Sequence, residues 1–351
     1  MAYTTIDDPA IYFNTKLYTG TGSSLAITGI GFQPDWVWTK GRDSTAEGVM
    51  DHALVDSVRG VTKTLRSNTT GAEGTETNSL TAFGSDGYTV GANGKFNYSS
   101  SDIYVSWNWK AGTSFTNDAS STGIGSIDST GSVNTTSGFS IVSYTGTGAN
   151  ATVGHGLSSV PKIVITRNRD TATNWCVYSS QVGNTKALFL NLTNTPDTGT
   201  AYWNDTTPTS SVFSVGTNTG TNKSGDGFVA YCFAEKKGFS KFGSYTGNGN
   251  ADGTFVYTGF KPAFVLGKNT NAANGWYMFD NKRDVSNVVD TYLVASANAA
   301  EATYTALDFL SNGFKVRATN SDWNGSGNAI IYMAFAENPF VTSSGVPACA
   351  R

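Results

Sequence analysis

Three stretches of this chain read almost as one sentence: "YTGTGSSLAITGIGFQPDWVWTK" from Tyr18, "YTGTGANATVGHGLSSVPKIVITR" from Tyr144 and "YTGNGNADGTFVYTGFKPAFVLGK" from Tyr245. A repeat constrains a fold strongly, because whatever one copy folds into, the other two must fold into as well. The copies recur every 100 to 130 residues or so, too far apart for solenoid repeats of about 20 to 50 residues that cannot fold alone. They mark three domain-sized units in 351 residues. They also act as an internal control, since a position kept apolar in all three serves the fold, whatever any one unit touches.

After each Gly-rich opening, Pro34, Pro161 and Pro262 head a strand, where a missing N–H costs least. The strands that follow are "DWVWTK", "KIVITR" and "AFVLGK". Period-two alternation sets Trp36 with Trp38, Ile163 with Ile165 and Phe264 with Leu266 on one face, while Val37, Val164 and Val265 keep the other face apolar. Apolar on both faces, such a strand belongs inside its sheet. Lys40, Arg167 and Lys268 close these strands and are expected at the solvent end. Each unit finishes with a turn bearing Tyr88, Phe213 or Phe314, then Val90, Val215 or Val316, and a last strand, "IYVSWNWKAG", "FVAYCFAEKKG" or "IIYMAFAENPF".

Short strands joined by Gly, Asn and Ser turns in units of about 100 residues predict an all-β chain of three tandem β-sandwich domains, with a barrel as the alternative closure. The boundaries read as an N-terminal anchor segment at 1–17, sandwich repeats at 18–112, 139–238 and 239–340, a Gly/Ser/Thr linker at 113–138 and a C-terminal tail at 341–351.

Charged residues make up 14% and aromatics 13%, a balance of turn-rich β proteins. A net charge of −3 offers no basic face for phosphate backbones, so nucleic acid is not a partner. The N-terminus has no basic region followed by an apolar core, and no run reaches the roughly 18 apolar residues of a membrane helix, so neither secretion nor membrane insertion is expected. Cys176, Cys232 and Cys349 cannot pair completely and stand at no metal-ligand spacing with each other, His52 or His155, which fits folding in a reducing compartment.

The repeats sort the candidate chemistry. Trp107 and Trp109 correspond to Tyr231 and Phe233 and to Met333 and Phe335, so bulk matters there and the indole does not. They read as core, as do Trp175 and Trp276. Trp203 in "AYWNDTTPTS" and Trp323 in "NSDWNGSGN" sit instead among turn formers, with Phe96 and Tyr98 in the corresponding loop of the first unit. These four are the candidate ligand-binding residues, since recognition concentrates on loops held by a rigid scaffold. Asp56 with Arg59 and Asp280 with Arg283 read as structural ion pairs. Glu235 and Glu337 have Ala111 as their sister, and neither histidine stands in a nucleophile-elbow context. With no P-loop, dinucleotide fingerprint, EF-hand or HExxH stretch, no catalytic residue, cofactor or metal is assigned and the chain does not read as an enzyme.

The phrases "YFNTKLYTGTGS", "GFQPDWVWTKGRD", "DSVRGVTKTLRSNTT", "GSDGYTVG" and "VSWNWKAG", continued by "GFSIVSYTGTG", "SKFGSYTGNG", "FVYTGFKPAFV" and "YMAFAENPF", resemble virion-associated proteins of tailed bacteriophages, marine and cyanobacterial ones above all. The resemblance runs along nearly the whole chain. It implies concanavalin-like or jelly-roll sandwiches, assembly in the host cytoplasm and a place on the virion surface beside other virion proteins. A homo-oligomer is expected, a trimer by analogy with phage fibres. The function implied is a tail-fibre or receptor-binding component adhering to host-surface polysaccharide through the loop aromatics. A capsid decoration or head-fibre protein, anchored through Met1–Asn14 and Val341–Arg351, is the alternative, and a capsule depolymerase stands third.

Overall fold

The computed structural model describes residues 3–43 and 50–348. Each unit builds the same inner four-stranded antiparallel sheet, its last strand lying between its first and second. In sheet order these are Phe13–Thr19, Ile103–Trp109, Trp36–Gly41 and Ala53–Asp56 in unit one. Unit two uses Phe139–Thr145, Gly227–Phe233, Ile163–Asn168 and Cys176–Ser179, and unit three uses Ser240–Thr246, Ala329–Pro339, Phe260–Asn269 and Tyr277–Asp280. The registers coincide, because Trp36 faces Trp109 where Ile163 faces Phe233 and Phe264 faces Phe335.

A second layer covers one face of each inner sheet. In unit one it is the three-stranded sheet of Leu25–Thr28, Gly87–Val90 and Leu80–Gly84, and in unit two the pair Ala151–Gly154 and Val212–Val215. In unit three the sheet itself curls around through Val289–Val294, Ala302–Leu310 and Gly313–Val316 to Phe255–Tyr257. Between the layers lie Val37, Val55, Tyr88 and Val90 in unit one, Val153, Val164, Phe213 and Val215 in unit two, and Val256, Val265, Phe314 and Val316 in unit three. The chain is all-β, and alternation along the strands assigns these residues correctly.

The opposite faces do not meet solvent. Trp36, Trp38, Trp107 and Trp109 of unit one, Ile163, Ile165, Tyr231 and Phe233 of unit two, and Phe264, Leu266, Met333 and Phe335 of unit three form one continuous core. The repeats are therefore three sandwich layers closed around a shared centre, which is why their strands are apolar on both faces. Hydrogen bonds run head to tail around this ring. Trp175 Nε1 donates to Arg66 O of unit one at 2.8 Å, and Trp276 Nε1 donates to Phe189 O of unit two at 2.8 Å. His52, at the same register, meets Val294 O of unit three at 3.1 Å through Nε2 while its Nδ1 accepts from Trp38 Nε1 at 2.9 Å, so Nε2 is the donor. A heterologous contact repeated until it closes is the geometry of a cyclic trimer, here written in one chain.

Four expectations are corrected. Residues 113–138 are not a linker: Thr113–Asn117 and Ser129–Asn134 are strands that extend the inner sheet of unit two, with a one-turn helix at Ala119–Thr122 between them. Small and polar residues suggested a connector, but a sheet edge needs only backbone hydrogen bonds to grow. The tails are likewise folded where described. Phe13 and Ile6 are core residues, Thr4 Oγ1 donates to Lys237 O at 2.8 Å, and Asp7 accepts from Ser343 N at 2.6 Å. Cys349 lies outside the described residues. The closing cations are buried: Lys40, Arg167 and Lys268 have at most 1% of their surface exposed, because each strand ends beneath the neighbouring unit. Lys40 Nζ donates to Gly41 O at 2.7 Å, Lys268 Nζ to Thr193 O at 3.0 Å and Asn274 O at 2.5 Å, and Arg167 to the carbonyls of Thr173 and Gly71. Finally, Pro262 lies within its strand rather than ahead of it, at a register shift against the closing strand where no ladder N–H is required. Among the described residues, no helix is long and apolar enough to cross a membrane.

Candidate functional site

Of the four aromatic residues expected to bind a ligand, three are in the interior. Trp203 ends the one-turn helix Thr200–Trp203, is 2% exposed and meets Tyr178 edge-on with centroids 5.9 Å apart. Trp323, fully buried in Ser321–Asn324, packs edge-on against Phe279 at 5.0 Å. Phe96 is buried in the apolar layer of unit one, and Tyr98 is at the surface, 36% exposed. They belong to separate layers and form no common site. The Asn-rich neighbours that suggested exposed turns instead cap short helices, as when Asn93 accepts from Lys95 N at 3.0 Å and Asn320 from Trp323 N at 3.3 Å.

The repeated opening phrase has a structural role in each copy. Tyr18, Tyr144 and Tyr245 donate their hydroxyls to the carbonyls of Phe96, Thr221 and Trp323 at 2.6 to 2.8 Å. The next residue in each case is a fully buried asparagine, Asn97, Asn222 or Asn324. Its Oδ1 accepts from the backbone N–H of Thr21, Thr147 or Asn248 at 2.5 to 2.8 Å, and its amide holds the carbonyl of Ser23, Ala149 or Asn250. Gly20, Gly146 and Gly247 have no room for a Cβ, which would lie within 2.5 Å of the carbonyls of Ser99, Lys223 and Gly325. The threefold Asn, in "FNYSS", "TNKSG" and "WNGSG", was the sequence signal for this clamp and went unread.

Polar groups at the unit junctions are also committed. Arg59 Nε donates to Asp56 Oδ2 at 2.5 Å inside the protein, and the same carboxylate accepts the Tyr231 hydroxyl of unit two at 2.7 Å. Glu73 bridges Arg59 and Arg169, at 3.0 and 2.9 Å. Burial alone would push its carboxyl up, but the two guanidinium groups outweigh it and hold it below the usual range. Arg283 and Asp280 repeat the pair at 2.6 Å, with Trp107 Nε1 of unit one on the carboxylate at 3.2 Å. At the third junction Ser179 replaces the aspartate, by register with Ile163, and the unit-three residue in register with Trp107 and Tyr231 is Met333. That junction is apolar, lined by Ile163, Ile165, Val177, Leu266 and Met333. The ion pairs expected from sequence are therefore structural and sit where the neighbouring unit offers a hydrogen-bond donor.

The remaining titratable candidates are sequestered. His155 is buried, accepts Leu157 N through Nδ1 at 3.2 Å and is pushed down to about 4 by burial. The Cys176 thiol is pushed up to about 12 by burial, the opposite of an activated nucleophile. Among the described residues no group of three or more His, Cys, Asp or Glu is placed to hold a metal ion.

Two open clefts flank the edge strand Thr113–Asn117. On the side toward unit one is a cleft of about 430 Å³ that includes Gln33, Asp35, Ser57, Phe115, Thr130 and Ser132. On the other flank a cleft of about 240 Å³ shares Phe115 and is completed by Asn117, Ile124 and Ser211. Asp35 is 4% exposed, and its carboxylate accepts Ser57 Oγ at 2.8 Å and Ala111 N at 2.9 Å. Burial raises its pKa above the usual carboxylate range.

Residues 8–339 match the family described as "Domain of unknown function (DUF7483)". The chain belongs to the DUF7483 family. No curated protein matches it. The DUF7483 span starts ahead of the opening strand of unit one and ends with the closing strand of unit three, so it takes in the whole ring and the clefts beside Thr113–Asn117.

Proposed function

We propose that the chain is a structural component of a bacteriophage virion surface, of the tail-fibre or decoration type, acting without catalysis. The observation that supports this most is the closed ring: three repeats commit their strand faces, junction acids and buried cations to a single core, a construction suited to mechanical and chemical durability. The ordered likeness to phage virion proteins points the same way. In this reading one 37.0 kDa chain does the work of a fibre trimer, since it already supplies three equivalent units. The loop tryptophans take no part in adhesion, and the folded tails do not act as free anchors.

Antibody-gold labelling of intact virions of the source phage, with serum against the full chain, tests the reading. Label at the tail periphery supports a fibre component and label over the head supports a decoration protein. Absence of label from purified virions that still contain their other surface proteins refutes both. Sedimentation of the free chain at monomer mass supports the single-chain ring as the working unit, whereas a species of three times that mass restores the trimer of chains.

A further inference from the structure

The strand Thr113–Asn117 is the outermost of its sheet and pairs with Ser129–Asn134 along its whole length without a register shift. The direction of its free backbone groups follows from the ladder. Ala234 N donates to Gly138 O at 2.7 Å, so the even residues of Phe139–Thr145 bond to the closing strand of unit two and the odd ones to Ser129–Asn134. One strand further out, Thr113, Phe115 and Asn117 direct their N–H and C=O groups at Ser129–Asn134, whereas Ser114 and Thr116 turn theirs away from the sheet. These outward groups meet no hydrogen-bond partner among the described residues, and both residues are exposed.

Proteins protect such edges with charged side chains, proline, bulges or a covering segment, because an open row of amides recruits further strands. The corresponding edges of the other units are protected in this way. Phe13–Thr19 of unit one carries Lys16, and Ser240–Thr246 of unit three carries Lys241, while Glu235 accepts Phe242 N at 3.4 Å and Lys236 O accepts Ser240 N at 2.9 Å. Thr113–Asn117 has no charge, no proline and no bulge. Clefts of about 430 and 240 Å³ lie along its two sides, with room for the alternating side chains of an added strand. Past its end, Asp118 and Asp128 line a third cleft of about 360 Å³ and accept only from backbone N–H and hydroxyl groups. Among the described residues no Lys or Arg lines any of the three clefts, so a cation on the incoming chain would be answered there. We propose that this edge takes up an extended segment of a partner protein as an additional β-strand, with uncharged residues along Ser114 and Thr116 and a Lys or Arg beside Asp118 and Asp128. The proposal goes beyond the virion reading and does not rest on it, since it concerns backbone pairing by the isolated protein.

Isothermal titration of the full chain with the capped peptide Lys-Val-Thr-Val-Thr-Val-Lys provides the test, with the same peptide N-methylated at its backbone amides and a version with Glu at both ends as comparisons. The expected result is saturable binding of the Lys peptide that weakens about tenfold or more on N-methylation, on exchange of Lys for Glu, and in the protein variants Ser114→Pro and Thr116→Pro. Each proline removes one outward N–H and leaves the ladder to Ser129–Asn134 intact. Should a proline variant fold poorly, the N-methylated peptide on the wild-type chain carries the test. No binding of the Lys peptide at millimolar concentration, equal binding of the N-methylated or Glu peptide, or equal binding by the folded proline variants overturns the proposal. Sedimentation at twice the monomer mass that Thr116→Pro abolishes would make a second copy the occupant and overturn it as well.

Discussion

Trp36 of the first unit stacks on Tyr231 of the second, with ring centroids 4.2 Å apart and planes 17° from parallel. Both residues are buried and both point away from their own sandwich layer, so the contact belongs to the ring rather than to either unit. Trp36→Ala is expected to destabilise the protein by about 3–5 kcal/mol, the usual cost of truncating a buried Trp. Chemical denaturation followed by circular dichroism checks this, and a loss below about 1 kcal/mol would show that the shared core contributes little.

Because the three units share that core, they are expected to unfold together. Calorimetry of the full chain should show one transition with equal calorimetric and van't Hoff enthalpies. A chain ending at Gly238 should lack a cooperative transition, since it leaves the aromatic faces of units one and two without their third partner. Three resolved transitions would indicate independent beads.

The asparagine clamps make a symmetric prediction. Asn97→Ala, Asn222→Ala and Asn324→Ala each leave buried backbone donors and acceptors unpaired, at about 1–3 kcal/mol per group. The three losses should agree with one another within about 1 kcal/mol, and a neutral effect at any one would show that its loop finds other partners. Thermal denaturation of the three variants compares them directly.

The junction between units one and two can be rewritten in the terms of the apolar one. Arg59→Val alone leaves Asp56 buried without its cation and should cost about 3–5 kcal/mol. Adding Asp56→Ser and Tyr231→Met copies the residues of the third junction, Ser179, Val182 and Met333, and should recover much of that loss. A triple variant no more stable than Arg59→Val would refute the account of why unit two dispenses with its pair.

Stability should depend on pH at both ends. His52 and His155 have pKa values lowered by burial, so the unfolded chain binds their protons more readily. The His155 contribution is complete above about pH 6.5 and is lost as pH falls toward 4, which amounts to about 3 kcal/mol, and His52 loses stability in the same direction below pH 6.5. Burial also lowers Lys40 and Lys268 to about 8, which favours the fold above pH 8, but burial raises Cys176 and Cys232, whose protons the unfolded chain loses above about pH 8.5, so the two effects oppose each other and stability should change little between pH 8 and about 10. Above about pH 10 stability should fall, because Tyr18, Tyr144 and Tyr245 are raised by burial and hold their protons only when folded. Melting temperature from pH 4 to 11 should therefore climb to about pH 6.5, stay nearly level to about pH 10 and then fall. A flat profile in acid would exclude buried neutral histidines.

The repeat, the alternation of Trp36, Val37 and Trp38, and the exchange of Trp107 for Tyr231 and Met333 were enough to place strands, faces and core residues, because side-chain direction along a strand has a period of two whatever lies opposite. The same local rules could not say what covered those faces. An apolar stripe looks identical whether it is buried in its own sandwich or against a neighbour some hundred residues away, so the shared core was invisible, and with it the burial of Lys40, Arg167 and Lys268. Trp203 and Trp323 went astray for a related reason: Asn, Asp and Gly serve exposed turns and helix caps alike, and only the path of the chain decides which. Sequence alone thus determined an all-β chain of three like units and the inward set of each strand. Tertiary structure alone decided that the units close into one ring, and that Asp35 of one unit and the edge strand Thr113–Asn117 of the next line a single cleft, because both depend on packing between segments that no local pattern connects.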